Sequence, residues 1–434
     1  MYQDHIPTED LPRKYIDVIQ AAQQLGVQYL WIDSLCIIHD DLADWEFESS
    51  QMRKVYQHGY CNPSAASSTS SNDGLFYKRD ATWVRPHVIV PGNNSEPIVA
   101  TQVMDMEWYS RLDEEPLYGR AWVCQERLLA TRNISFARHL GEVDAQVKNV
   151  RNGTLDGQLF SLRALGEHQS PHDAWKTVVE YYSGCDLKYP TDKLVAIIGR
   201  GSCLTWQRPK HLPSPRARNT EYIAPSWSWV STNTQVNYGH SCHEYHTLAD
   251  CEEVGTVPYG NDPFGRVQSG RLRLRCDAIP FQLESALGTF VQEGFRSVFV
   301  ACVLDDNTTY AGDQNVYQVV AGSRYYAVPL LSYHQPYENT PCLILEPLMP
   351  AWGLYRRVGL YHLHPSYEPE VSSHRDNNHK EVAGDMPAIC KEGLSLGVSL
   401  EHCRVLARMI RASQEADVPA SERAADGRCL INII

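Results

Sequence analysis

The sequence lacks most of the short signals by which a chain declares its chemistry. Among its 434 residues there is no Gly-x-Gly-x-x-Gly and no Walker-type loop, so conventional dinucleotide or P-loop phosphate binding is not expected. Ser226 lies between Pro225 and Trp227 rather than in a Gly-x-Ser-x-Gly elbow, which removes the usual serine hydrolase. No stretch approaches the about 18 uninterrupted apolar residues of a membrane helix. Thirteen cysteines include no Cys-x-x-Cys pair. Their odd number, with a polar, acidic start from Met1 to Asp10 that has no signal-peptide core, points to reduced thiols in the cytoplasm. The Asn-x-Ser/Thr triplets at Asn133 and Asn152 then count as chance matches. Positive charge is scarce as well: 39 basic against 52 acidic residues leave a formal net charge of −13, which disfavours nucleic acid as a partner. The densest basic run, Arg271-Leu-Arg-Leu-Arg275, alternates with leucine and reads as one exposed strand face.

What is present is enough apolar residue, 43% of the chain, for two cores. Leu11 to Leu25 is predicted to be a helix, with Tyr15, Ile16, Ile19, Ala22 and Leu25 on one face, Pro12 near its start and Gly26 after its end. Val27 to Ile32 is an apolar run without alternation, the pattern of a strand buried on both faces. Leu42 to Gln57 is a second helix, Ala66 to Gly74 a surface loop, and Ala121–Leu129 and Ala174–Tyr182 are further helices. Helix, buried strand, helix is the order of an α/β layer with parallel strands. Beyond about residue 200 the texture changes to short β-prone runs: Arg271–Cys276, Ser297–Val303, Tyr325–Leu331 and Cys342–Leu345. A helix is expected near Glu401–Arg411, with polar, mobile stretches at His374–Glu381 and Ser413–Arg428. The expected organisation is therefore an α/β domain over residues 1–200 and a β-rich region over 201–434.

Several segments resemble the heterokaryon incompatibility (HET) domain family of filamentous fungi. Tyr29-Leu-Trp-Ile-Asp-Ser-Leu-Cys-Ile37, followed by Asp40, Asp41 and Asp44-Trp45, is similar to that family's first signature. Gly119-Arg-Ala-Trp-Val-Cys-Gln-Glu-Arg-Leu-Leu129 is similar to its second, built around a Trp and a Gln-Glu pair. Tyr181-Tyr-Ser-Gly184, Tyr189-Pro-Thr-Asp-Lys-Leu194, Ala224-Pro-Ser-Trp-Ser-Trp229, Ile344-Leu-Glu-Pro347 and Tyr355-Arg-Arg-Val-Gly359 follow in the family's order. The resemblance implies a fold distantly related to TIR domains, a parallel sheet layer with helices. It also implies two departures. The family's opening strand, of the type Leu-Ser-Tyr-Cys-Trp, has no counterpart before Leu11, and Pro63 in Tyr60-Cys-Asn-Pro-Ser64 makes the strand after the second helix an edge, broken or absent.

Chemistry is expected at few places. Some TIR domains cleave NAD at the nicotinamide–ribose bond with a glutamate four residues after a Trp, and Trp122 and Glu126 have that spacing. A carboxylate in an apolar cleft stabilises an oxocarbenium-like state or orients the ribose hydroxyls. The plainer role for Glu126 is an ion pair with Arg127, Arg120 or Arg132. Asp33 ends the expected strand, where ligands of open parallel sheets bind, and its plainer role is to cap Leu35 and Cys36. The catalytic candidates are thus Glu126 and Asp33, with Trp122 and Ser34 as contacts for NAD, which enters as substrate and not as a resident cofactor. Cys36 with His39 is a weaker nucleophile pair lacking a third orienting group. His240, Cys242, His243, His246 and Cys251 form the densest metal-type cluster, but Cys-x3-His-x4-Cys fits no common zinc spacing, and no metal is assigned. Trp227 and Trp229 are expected to alternate on a strand at the junction of the two regions.

By resemblance, the role implied is non-self recognition and cell-death signalling, through NAD cleavage or as a non-catalytic interaction module that self-associates or meets other incompatibility proteins. A third class is a divergent family member in secondary-metabolite biosynthesis. The aromatic residues, 10% of the chain, would there enclose an apolar metabolite for cyclisation or hydrolysis.

Overall fold

The structure is a computed structural model that describes residues 6–78, 87–89, 98–100, 115–137, 171–194, 204–207, 221–238, 245–259, 265–285, 289–291, 302–304, 324–333, 340–363 and 418–434. The chain divides into two compact units, Met1–Gly199 and Arg200–Ile434.

In the first unit α1 spans Arg13–Gln24 and α3 spans Leu42–His58, with a four-residue helix α2, Asp33–Cys36, between them. Pro12 precedes α1, and Gly26 at φ 69° follows it in the left-handed conformation that ends many helices. Asp41 caps α3 by accepting from the Ala43 and Asp44 amides. Strand β1, Asn62–Ser64, pairs in parallel with β4, Asn133–Ser135, while β2, His87–Ile89, pairs antiparallel with β3, Ile98–Ala100. Helix α4, Ala121–Leu129, precedes β4, and α5 covers Pro171–Gly184. Among the described residues of the unit, two small cores are seen. Val18 and Ala21 of α1 pack with Leu30, Ile32, Leu75, Ile134 and Phe136. On the α4 side, Val123 packs with Ala66, Tyr118 and Ala137.

Two expectations for this unit need correction, and one stated as alternatives is decided. Val27–Ile32 is not a strand buried on both faces: it belongs to no sheet, and Tyr29 is 88% exposed. A strand exists only when a neighbour takes its backbone groups, and among the described residues the main chain of 28–31 makes no backbone hydrogen bond. The loop expected from Ala66 begins inside the protein, with Ala66 and Ser67 buried and Ser67 Oγ donating to Glu115 Oε2 at 2.6 Å. Of the alternatives for the strand at Pro63, the edge is the one observed: among the described residues β1 pairs with β4 alone. Asn62 N donates to Arg132 O and Phe136 N to Ser64 O, both at 2.8 Å, so residues 62 and 64 face β4. The Pro63 nitrogen faces the open edge, where a missing N–H costs no ladder bond.

The second unit is dominated by a ten-stranded sheet. Its strands are β6 (Asp250–Pro258), β7 (Val267–Cys276), β8 (Ile279–Ser285), β9 (Thr289–Val291), β10 (Cys302–Leu304), β11 (Arg324–Pro329), β13 (Thr340–Met349), β14 (Leu354–Leu363), β15 (Glu422–Arg423) and β16 (Cys429–Ile433); β5 (Tyr245–Thr247) and β12 (Leu331–Tyr333) form a separate pair. The order is β6-β7-β16-β14-β13-β11-β8-β9, with β10 beside β14 and β15 beside β16. All contacts are antiparallel except β14 with β16. Leu272 and Leu274 enter the core while the alternating arginines face outward, as the pattern implies. Arg271 bonds Asn432 Oδ1, Arg273 pairs with Glu422 at 3.0 Å and Arg275 with Asp250 at 3.0 Å.

Residues 225–231 form turns and a short 3₁₀ helix, Trp229–Ser231, rather than the expected strand. Trp227 joins the sheet's core. Here the distal signatures meet. The fully buried Arg357 guanidinium lies 3.4 Å from the Trp206 ring centroid and donates to Leu204 O at 2.8 Å, while its amide donates to Ser226 Oγ at 3.0 Å. The described part of Ser413–Arg428 is not a loose tail: Val418 is buried in the core and β15 pairs with β16. Ser297–Val303 (apart from the backbone of β10), Glu401–Arg411, His374–Glu381, Asn152 and His240–His243 lie outside the described residues.

Candidate functional site

Helix α4 buries Ala121, Val123, Cys124, Gln125 and Arg127, while Trp122 and Glu126, one turn apart, keep partial solvent access. The cations named as plain partners of Glu126 are mostly engaged elsewhere. Arg127 lies 4.1 Å from the Tyr118 ring centroid and donates to Tyr181 Oη at 3.0 Å. Arg132 donates to Tyr60 O at 2.7 Å and covers the Tyr60 ring. Arg120 does act on Glu126, but beyond the 4.0 Å reach of an ion pair.

Glu126 instead faces groups from three other segments. Tyr56, on α3, and Asn62, on β1, favour its charged form, and the charge of Asp33 reaches it from α2. The balance is unusual for a glutamate. Enclosure by protein, then repulsion from Asp33, raise its pKa from 4.5 to about 7, although Arg120, Asn62 and Tyr56 all favour the anion. The neighbours feel the same field. Burial, then the charges of Glu126 and Asp33, push the Tyr56 hydroxyl far above its ordinary range, so it keeps its proton and can donate. Burial, then Arg120, lower the Lys14 pKa, with Asp33 and Asp73 opposing them.

Local structure holds these groups in place. The Asn62 amide donates to Asn133 Oδ1 at 3.1 Å across the parallel register, and Asn133 Nδ2 donates to Arg127 O at 3.3 Å, tying both strands to α4. The Tyr56 ring meets Trp31 edge-on at 5.9 Å. Asp33 Oδ1 accepts from Ser34 N at 2.7 Å rather than from the Leu35 or Cys36 amides, and Ser34 Oγ bonds Tyr15 Oη at 2.6 Å. Asp33 and Ser34 are both exposed.

Of the residues singled out in the sequence, Glu126 and Asp33 act on each other, while Ser34 joins through Asp33 and Trp122 shares the accessible face of α4. Cys36 and His39 are exposed and no hydrogen bond joins them. Tyr56, Asn62 and Lys14 had not been chosen. In the sequence, the hydroxyl tip of Tyr56 is the only available signal.

The first unit is thus an α/β domain whose charged residues gather around a half-buried glutamate on a short helix. The family model described as "Heterokaryon incompatibility protein (HET)" matches residues 2–126, so that stretch is similar to HET domains. No curated protein and no solved structure matches the chain.

Proposed function

We propose that the HET domain of this chain hydrolyses the nicotinamide–ribose bond of NAD at Glu126, and that the resulting loss of NAD is its signal in incompatibility. The observation that carries this reading is a partly accessible glutamate with a pKa of about 7, set against Asp33 and approached by Tyr56 and Asn62. In the reaction, the C1′–N bond breaks and its electron pair returns to the pyridinium ring, releasing neutral nicotinamide. The ribosyl cation develops beside Glu126, whose anion stabilises it electrostatically. Water then adds to C1′, and its proton passes to Glu126, which a pKa near neutrality equips to accept and release it. Asp33 is assigned to the ribose hydroxyls, with Ser34 beside it, and Trp122 to the face of the departing ring. Lys14 and Arg120 supply local positive charge for a pyrophosphate on a protein that is anionic overall.

The test is nicotinamide release from NAD by the full chain and by Glu126→Gln. Gln keeps the size and one acceptor oxygen without the charge. A loss of at least about 100-fold with an unchanged fold is expected. An inert full-length chain, or a Gln variant of equal rate, would end the hydrolase reading and leave the domain as an interaction module.

A further inference from the structure

Asn133 belongs to the triplet Asn133-Ile-Ser135, which reads as a glycosylation sequon, yet Asn133 is 8% exposed and its side chain is bonded at both ends. Its place follows from the parallel register. Asn62 of β1 is the partner of Asn133 of β4, and paired residues of neighbouring strands project to the same face of the layer. There Asn133 meets the last turn of α4, where helix carbonyls run out of helical amides. Arg127 O is one of these, and the Asn133 side chain satisfies it at 3.3 Å.

Such a bond decides more than packing. A side-chain amide has a donor end and an acceptor end of nearly the same shape, so its neighbours determine which way round it sits. A carbonyl only accepts, so the end of Asn133 that faces Arg127 O has to be Nδ2. Oδ1 is then left to face β1, where it accepts from Asn62 Nδ2 at 3.1 Å. The Asn62 amide is oriented in consequence, with one of its two hydrogens committed to Asn133. The second is left for the site or for Ser64 Oγ, which at 3.5 Å is the weaker claimant. Asn62 acts on Glu126 in the sense of a donor, favouring the anion.

We infer that Asn133 is a positioning residue for Glu126: anchored on the Arg127 carbonyl, it holds the Asn62 amide with the nitrogen, rather than the oxygen, turned to the carboxylate. The direction matters for the chemistry. Nitrogen toward Glu126 steadies the anion that faces a ribosyl cation, whereas oxygen in its place would accept from the protonated acid and favour the neutral form. Asp33, Arg120 and Tyr56 also act on Glu126, but they stand outside this chain of bonds and stay in place when it is cut. The catalytic meaning of the arrangement rests on the NAD reading; the arrangement itself does not.

The experiment is an NMR titration of the full chain labelled with ¹³C in glutamate and ¹⁵N in asparagine, with signals assigned through Glu126→Gln and Asn62→Ala. In the unmodified protein the Asn62 Nδ2 signals should follow the Glu126 midpoint. Asn133→Leu, of similar volume, removes both bonds and frees Asn62 to turn over. The Glu126 pKa should then rise by about 0.5 or more, a gain of about threefold in proton affinity. In an Asn62→Ala background the same substitution should leave the Glu126 pKa where Asn62→Ala alone puts it. A merely structural Asn133 would move it in both backgrounds or in neither, and either result overturns the inference. So does an Asn62 amide blind to the Glu126 titration, which needs no Asn133 variant and so decides the matter even if Asn133→Leu folds poorly. Nicotinamide release is measured alongside. The full pattern in a chain inert towards NAD upholds the positioning role and sinks the hydrolase reading, whereas an active chain without the pattern sinks the positioning role alone.

Discussion

A carboxyl with a folded-state pKa of about 7 and an ordinary value of 4.5 burdens the fold in a pH-dependent way. Between those two values the native state binds more protons than the unfolded chain, so stability falls as pH rises through the window and stays lowered above it. Below pH 4.5 both states are protonated and the effect vanishes. Glu126→Gln is therefore expected to stabilise the domain at pH 8, by roughly 1–3 kcal/mol once partial solvent access is discounted, and to be nearly neutral at pH 4. Urea unfolding at both values measures this, and a difference independent of pH would show that Glu126 titrates normally. Tyr56→Phe acts in the opposite sense on the same group. Losing a donor that favours the anion should raise the Glu126 pKa further, moving the rising limb of any Glu126-dependent rate, or a carboxyl NMR titration, to higher pH. A move to lower pH would mean that Tyr56 serves Glu126 only by burying it.

The helices and most C-terminal strands are legible as sequence because their signals are local: α3 carries its Asp41 cap, and β7 alternates arginine with buried leucine. Val27–Ile32 was misjudged because strand formation depends on a partner elsewhere in space, which no run of six residues reports. The site divides the same way. Glu126 and Asp33 stand out within motifs, but Tyr56, Asn62 and Lys14 come from three further segments brought together only by folding. One element in the second unit offers a direct test of local geometry. Gly353, between β13 and β14, has φ 59°, its carbonyl accepts from Asn432 N at 2.8 Å, and a Cβ there would lie 2.1 Å from Ser421 N and 2.6 Å from the Ala420 carbonyl carbon. Gly353→Ala thus adds a backbone clash to the left-handed penalty of about 1 kcal/mol, and a loss of about 3 kcal/mol or more is expected in chemical unfolding of the C-terminal sheet. A loss under about 1 kcal/mol would show that the Ala420–Ser421 segment gives way freely.

Across the whole molecule the cysteines form a set of probes that reports burial in both units at once. None of the described cysteines is in a disulfide: Cys36 and Cys251 are exposed, Cys61 and Cys185 half-buried, and Cys124, Cys276, Cys342 and Cys429 buried. Reaction with a disulfide reagent requires both access and thiolate, so the two factors can be ranked together. Cys36 should react first in the native protein. Cys251 should follow more slowly despite its exposure, because its surroundings, then the neighbouring Glu252, raise its pKa and reduce the thiolate present at pH 8. Cys276 and Cys429, opposite each other on β7 and β16, are held protonated by burial and should react only as the sheet opens, and Cys124, on the buried side of α4, only as that helix opens. Mass-resolved labelling of tryptic peptides over time gives the order residue by residue. After denaturation all thirteen thiols in the sequence should titrate, since neither the chain's cysteine pattern nor the described residues suggest a disulfide. Early labelling of Cys124 would mean that the α4 layer opens in the native state, exposing the Glu126 site from beneath. Early labelling of Cys276 together with Cys429 would locate the opening in the sheet instead. Recovery of ten thiols or fewer after denaturation would show disulfides, and with them an oxidising compartment for this chain.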